Sequence, residues 1–192
     1  MPDPNPAALD FLLTRRSRPA KTLTAPYPDR DALMPILTAA ARSPDHGKLE
    51  PWRFIVLRDA ALPRLAALAE SLGTAQDRPA DNIRKMADQF AMSGCAVAVI
   101  ESPKVSDKVP PIEQTYSAGA VCLALLNAAL AAGWGANWLT GWGAQDAEFC
   151  EFGLGLAPHE RVAGFIHLGT ESSAPPDRPR PDLSAITDWV SE

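Results

Sequence analysis

Between Pro111 and Ala132 the chain is small and apolar nearly all round, with the run Ser-Ala-Gly-Ala-Val-Cys-Leu-Ala-Leu-Leu-Asn-Ala-Ala-Leu at its heart. A helix of that make-up has almost no polar face to leave in water, so it is predicted to lie buried, and its small side chains let another helix come close. Gly133 closes it. The apolar stretch from Ala118 to Trp134 includes Asn127 and several small residues, which suits a core helix better than a membrane span. A second constraint is Cys95 to Ile100, a short continuous apolar run of the kind found in central strands covered on both faces.

The remaining elements arrange themselves around these two. Asn5 can cap a helix that begins at Pro6 and ends near Arg15, where Arg18-Pro19 stops it. Leu9, Leu12 and Leu13 are expected to face the core. Asp29 begins a second helix through Leu33, Ile36, Leu37 and Ala41, with Pro35 early enough to be tolerated or to kink it. Trp52 to Leu57 reads as a strand. Leu62 to Leu72 and Asp81 to Met92 read as amphipathic helices, Ala136 to Thr140 as a strand, Asp146 to Phe152 as a helix and Val162 to Leu168 as a third central strand. No repeat or linker divides the chain, so residues 1–192 are expected to form a single α+β domain. The segment 172–181 is polar and proline-rich, yet Leu183, Ile186, Trp189 and Val190 follow it. Disordered tails rarely end in such residues, so this end is expected to dock, on its own chain or on a second subunit.

The net charge of −5 argues against a generic nucleic-acid binder. Cys95, Cys122 and Cys150 are widely spaced in apolar surroundings and read as buried thiols of a reducing compartment. The first residues show neither a basic start nor an apolar signal core, so a cytoplasmic location away from membranes is expected. The sequence has no His-x-x-x-His pair, no Gly-x-Ser-x-Gly elbow and no phosphate-loop motif. Neither a metal site nor a protein-borne catalytic residue is therefore expected, and His159 and His167 read as isolated, non-catalytic histidines.

What the chain does offer is anion holders. Arg15-Arg16-Ser17 combines two guanidinium forks with a hydroxyl, a set suited to a phosphate monoester. A solvated basic patch at a helix C-terminus is the alternative reading. Arg42-Ser43-Pro44-Asp45-His46 opens a polar loop running to Pro51-Trp52-Arg53-Phe54, where His46 could bond a ligand ring or donate a proton near neutral pH. A surface turn is the alternative there. Glu113 and Gln114 look like ordinary first-turn residues of the long helix. From Gly133 to Gly143, tryptophans alternate with glycines, which lets backbone approach a flat ligand. Arg178-Pro179-Arg180-Pro181 places further cations in the tail. Strong anion holders without a nucleophile or metal cage suggest that a bound cofactor carries the chemistry.

The order and spacing of these pieces closely resemble the nitroreductase superfamily, most of all its compact YdjA-like branch. The resemblance runs from Phe11-Leu-Leu-Thr-Arg-Arg-Ser17 through Arg42-Ser-Pro-Asp-His46 and Pro51-Trp-Arg-Phe54. It continues in Val109-Pro-Pro-Ile-Glu-Gln114, Ser117-Ala-Gly119, Trp138-Leu-Thr-Gly141 and Gly164-Phe-Ile-His-Leu-Gly-Thr170. It implies a three-layer α+β sandwich, a mostly antiparallel sheet flanked by helices, in an intertwined homodimer with FMN at the subunit interface. It implies an FMN-dependent oxidoreductase that passes hydride from NADH or NADPH to a nitroaromatic, quinone or similar flat acceptor by a ping-pong cycle. A flavin-binding sensor or carrier is the alternative function. By the same resemblance Arg15, Arg16 and Ser17 hold the FMN phosphate and ribityl chain, Arg42 adds a cationic contact, and His46 reaches the FMN of the other subunit. Trp138, Leu139 and Thr140 line the isoalloxazine, Arg180 is a phosphate partner from the tail, and Ala128 to Gly133 matches a nicotinamide-nucleotide segment. Where typical members carry Asn and Gln before Pro-Trp, this chain has Lys48 and Glu50. Lys48 is then expected near the N1–O2 end of the flavin, where positive charge favours the reduced anion.

Overall fold

The structure is a computed structural model that describes residues 3–191. Its centre is β3 (Cys95–Glu101), every residue of which is buried. Alternate side chains of β3 enter two separate cores, as the period of a strand requires. Ala96, Ala98 and Ile100 join Leu65, Phe90, Phe149 and Phe165 on one face. Cys95, Val97 and Val99 join Ile36, Val121, Leu125 and Ile166 on the other. The continuous apolar run is explained: a strand covered on both faces has no side on which a polar residue is at ease.

The sheet is antiparallel throughout. Beside β3 run β2 (Trp52–Arg58) and β5 (Arg161–Glu171), and β5 also pairs with β4 (Gly135–Leu139) and the short β1 (Leu23–Thr24). β2 borders the sheet. The first face is covered by α3 (Ala61–Ala75) and α4 (Ala80–Ala91), the second by α2 (Arg30–Ala40) and α5 (Pro111–Ala131). This is an α+β three-layer sandwich.

Asn5 caps α1 (Pro6–Thr14) by accepting from Ala8 N, and Asp29 caps α2 by accepting from Ala32 N. Pro35 sits within the first turns of α2, which continues past it to Ala40. The segment after Asp146 does wind up, with Asp146 accepting from Phe149 N, but Phe149–Gly153 takes the wider π form. α5 is long and apolar enough to cross a membrane by length and composition, and here packs against the sheet through Ala118, Val121, Cys122, Leu125, Leu126 and Ala129.

One expectation is corrected, and the choice left open for another is narrowed. Leu9, Leu12 and Leu13 do not face the core: they are 59%, 57% and 67% exposed, because α1 lies outside both cores and buries no residue. The tail residues do not dock on their own chain either. Leu183, Ile186, Trp189 and Val190 are all exposed, as are Ile112, Tyr116 and Leu123 on the outer face of α5.

Candidate cofactor site

Arg15 caps the C-terminus of α1, donating its N–H to Phe11 O. The chain then runs along the free edge of β4: Arg18 N donates to Ala136 O at 2.8 Å, and Asn137 Nδ2 donates to Arg18 O at 2.7 Å. This places Arg15, Arg16 and Arg18 in one cleft of about 310 Å³ with Phe11, Leu130 and Trp134. Arg15 Nη2 donates to Ser17 Oγ at 2.9 Å, and Arg16 Nη1 donates to Ser17 O at 3.3 Å. Arg18 is paired with Glu171 at 2.7 Å and Arg180 with Asp177 at 3.1 Å. Among the described residues no carboxylate pairs with Arg15 or Arg16, and the Nε atoms of both are buried without a partner. Burial, and then the charges of Arg180, Arg16 and Arg18, push the Arg15 pKa down. Buried, unspent N–H donors at a concentration of like charge are what an anion would satisfy.

Next to this cleft the edge of β4 is open. Since Ala136 directs its carbonyl at Arg18, the pair Ala136–Leu168 is a non-hydrogen-bonded one, and so is Trp138–Ile166 two residues on. The N–H and C=O of Trp138 therefore point away from the sheet, available to a planar ligand. The Trp138 indole lies across Gly164, where a Cβ would collide with Nε1. Trp138, Leu139 and Thr140 line a cleft of about 630 Å³ together with Lys21, Lys85, Gln89 and Asn137. Lys21, Lys85 and Asn137 were not anticipated: Lys21 lies in a segment that reads as a linker, and Lys85 on an exposed face of α4.

Arg42, His46 and Lys48 lie elsewhere. All three are exposed, just beyond the end of α2. His46–Lys48 forms a single turn in which Gly47 and Lys48 have φ of 73° and 56°, followed by Glu50 at 49°. Asp45 Oδ2 accepts from Glu50 N at 2.9 Å. His46 Nδ1 meets Glu113 Oε2 at 2.7 Å, which ties the turn to the start of α5. The arginine cleft is at the other end of α5, beside Leu130. At 1.5 Å per residue the two ends are about 26 Å apart. One chain thus brings Arg15, Arg16, Ser17 and Arg180 together, sets Trp138, Leu139 and Thr140 beside them, and holds Arg42, His46 and Lys48 at a distance.

The other reactive groups are quiet. Ser93 Oγ donates to Cys95 O and so accepts from His167 Nδ1, 3.0 Å away. Burial lowers the His167 pKa to about 4 and keeps the ring neutral. Burial raises the thiols of Cys95, Cys122 and Cys150 to about 11, 12 and 11, so none is a ready nucleophile. No cluster of metal-ligating side chains occurs among the described residues.

Known proteins resemble this chain in sequence and in fold. The model of the nitroreductase family matches residues 12–170. The Escherichia coli K12 protein named "Putative NAD(P)H nitroreductase YdjA" is 31% identical over 163 residues, covering 85% of this chain and 87% of that protein. A nitroreductase-like family protein from Bacillus cereus superposes with a TM-score of 0.82 at 22% identity, covering 99% of this chain and 98% of the other. A Desulfovibrio desulfuricans protein solved in complex with FMN superposes with a TM-score of 0.75 at 21% identity, covering 99% and 100%. At such identities the two superpositions speak for the fold.

Proposed function

Because this chain belongs to the nitroreductase family, we propose that it is a soluble, cytoplasmic, FMN-dependent oxidoreductase that uses NADH or NADPH and works as a homodimer. The observation that carries the reading is the cleft in which Arg15 and Arg16 keep buried, unpartnered Nε groups beside Arg18 and Arg180. A phosphate monoester matches those donors in charge and in geometry.

When bound, FMN supplies a hydride relay from the reduced nicotinamide to a nitroaromatic, quinone or similar flat acceptor, in ping-pong order. The chain's own part is to grip, orient and shield. Arg15, Arg16 and Ser17 hold the phosphate end, with Arg180 closing over it from the tail. The outward N–H and C=O of Trp138 and the neighbouring Leu139 and Thr140 orient the ring system. Arg42, His46 and Lys48 stand too far from the cleft to serve a flavin on their own chain, so they serve the flavin held by a second copy. Two copies related by a two-fold axis would set the His46 end of one α5 beside the arginine end of the other. The exposed apolar residues of α1, of the outer face of α5 and of the tail give such a dimer its contact surface.

The protein as purified should be yellow. Its flavin absorbance should bleach with NADH or NADPH and return when menadione or nitrofurazone is added, with steady consumption of the nicotinamide. Bleaching without turnover would favour a sensor or carrier, and a colourless protein that takes up no FMN would overturn the reading. Arg15→Ala removes a charge-assisted contact of roughly 1.5–3 kcal/mol, so FMN affinity should fall about ten- to a hundredfold.

A further inference from the structure

We propose that Glu113 is a positioning residue of the cofactor site: its carboxylate holds His46 in the Nδ1–H tautomer and thereby makes Nε2 a hydrogen-bond acceptor for the flavin held by the partner subunit. The inference rests on the assignment of His46 to that flavin, and adds to it the group that sets the ring's orientation and protonation. The contact is short, 2.7 Å between His46 Nδ1 and Glu113 Oε2. An ionised carboxylate only accepts, so the shared hydrogen belongs to Nδ1. A neutral imidazole carries one such hydrogen, and Nε2 is left with a lone pair. Nε2 makes no hydrogen bond among the described residues.

The pair does little for the fold. The two side chains are 55% and 43% exposed, and polar contacts at such surfaces contribute little to stability. What the contact does is mechanical. His46 stands in a loop whose backbone passes through left-handed conformations at Gly47, Lys48 and Glu50. Glu113 stands in the first turn of the long, sheet-packed α5, where a carboxylate is also favoured by the helix dipole. A side chain on an irregular loop is thus clipped to a rigid element. The acceptor has matching donors on the proposed ligand, since a flavin mononucleotide offers the ring N3–H and the ribityl hydroxyls. In this tautomer Nε2 is free to receive a hydrogen bond from the ligand.

The test uses protein labelled with ¹⁵N-histidine, together with FMN titration of the apoprotein followed by quenching of flavin fluorescence. Wild type should show His46 protonated at Nδ1. In Glu113→Ala the ring should lose that preference and FMN affinity should fall roughly three- to tenfold, the worth of one hydrogen bond. Glu113→Gln keeps an acceptor oxygen and should stay within about twofold of wild type on the same scale. A His46 tautomer unchanged in Glu113→Ala overturns the proposal. So does a changed tautomer with unchanged affinity while His46→Ala binds FMN more weakly. Unchanged affinity in His46→Ala instead removes the assignment of His46 itself, so the two failures are told apart.

Discussion

At the scale of single residues, half-buried Glu160 and buried His167 set the response to acid. Glu160 lies under Arg53, whose Nε and Nη2 donate to its two oxygens at 2.7 Å each. Those bonds, against the opposing effect of burial and with help from Ala157 N–H, lower its pKa from 4.5 to about 2. His167 is lowered from 6.5 to about 4 by burial. Both groups take protons more readily in the unfolded chain than in the folded one, so each adds stability that is complete above its unfolded value and lost as pH falls. The loss should come in two overlapping stages, from 6.5 down to about 4 for His167 and from 4.5 down to about 2 for Glu160. Urea midpoints measured across that range should show the first stage weakened in His167→Gln and the second in Glu160→Gln. Variants whose pH dependence parallels wild type would contradict the assignment. Neither partner was legible in the sequence. Arg53 and Glu160 are separated by 107 positions, and His46 and Glu113 by 67, so only the folded chain pairs them.

At the scale of elements, the sequence reported packing period well and packing partner poorly. The apolar run of β3 announced burial on both faces and has it, whereas α5, which reads as apolar nearly all round, is buried on one face only and leaves Ile112, Tyr116 and Leu123 exposed. The pattern of α1 announced an apolar face with equal clarity, but a pattern says only that a face needs covering, not which molecule covers it. Within one chain Leu12 and Leu13 stand in water. Leu12→Ser and Leu13→Ser should therefore change the folding of a single chain by about 0.5 kcal/mol or less, as surface substitutions do. They should nonetheless weaken self-association, read as a shift toward monomer in sedimentation velocity. Loss of folded protein with the oligomeric state intact would show instead that α1 packs on its own chain. Arg15 and Arg16 of the cleft were legible as a short local motif, whereas Arg18 read only as the end of a helix. The open edge of β4 was not legible, since it depends on where the Arg18 backbone bonds.

At the scale of the whole molecule, the arginine cleft and His46 stand at opposite ends of α5, so the site proposed above would be completed only by a second copy. That arrangement gives a test by mixing. When Arg15→Ala chains are combined with His46→Ala chains, each mixed dimer should hold one doubly damaged site and one intact site. FMN bound at high affinity should recover to about one per mixed dimer, where each variant alone binds weakly. No recovery on mixing would place both residues in a site within one chain.

Among the described residues, the border strand β2 has β3 on one side and no strand on the other. Backbone groups along such a border invite further extended chains, and copies laid edge to edge would grow into fibres. Arg53 and Arg58 stand in that strand, one tied to Glu160 and the other to the Pro28 carbonyl. They are in position to guard the border as cationic sentries, keeping crowded copies from zipping together. Neutralising Arg58 should cost the protein its colloidal behaviour at high concentration before it costs the fold, whereas neutralising Arg53 would also leave the Glu160 carboxylate unpaired.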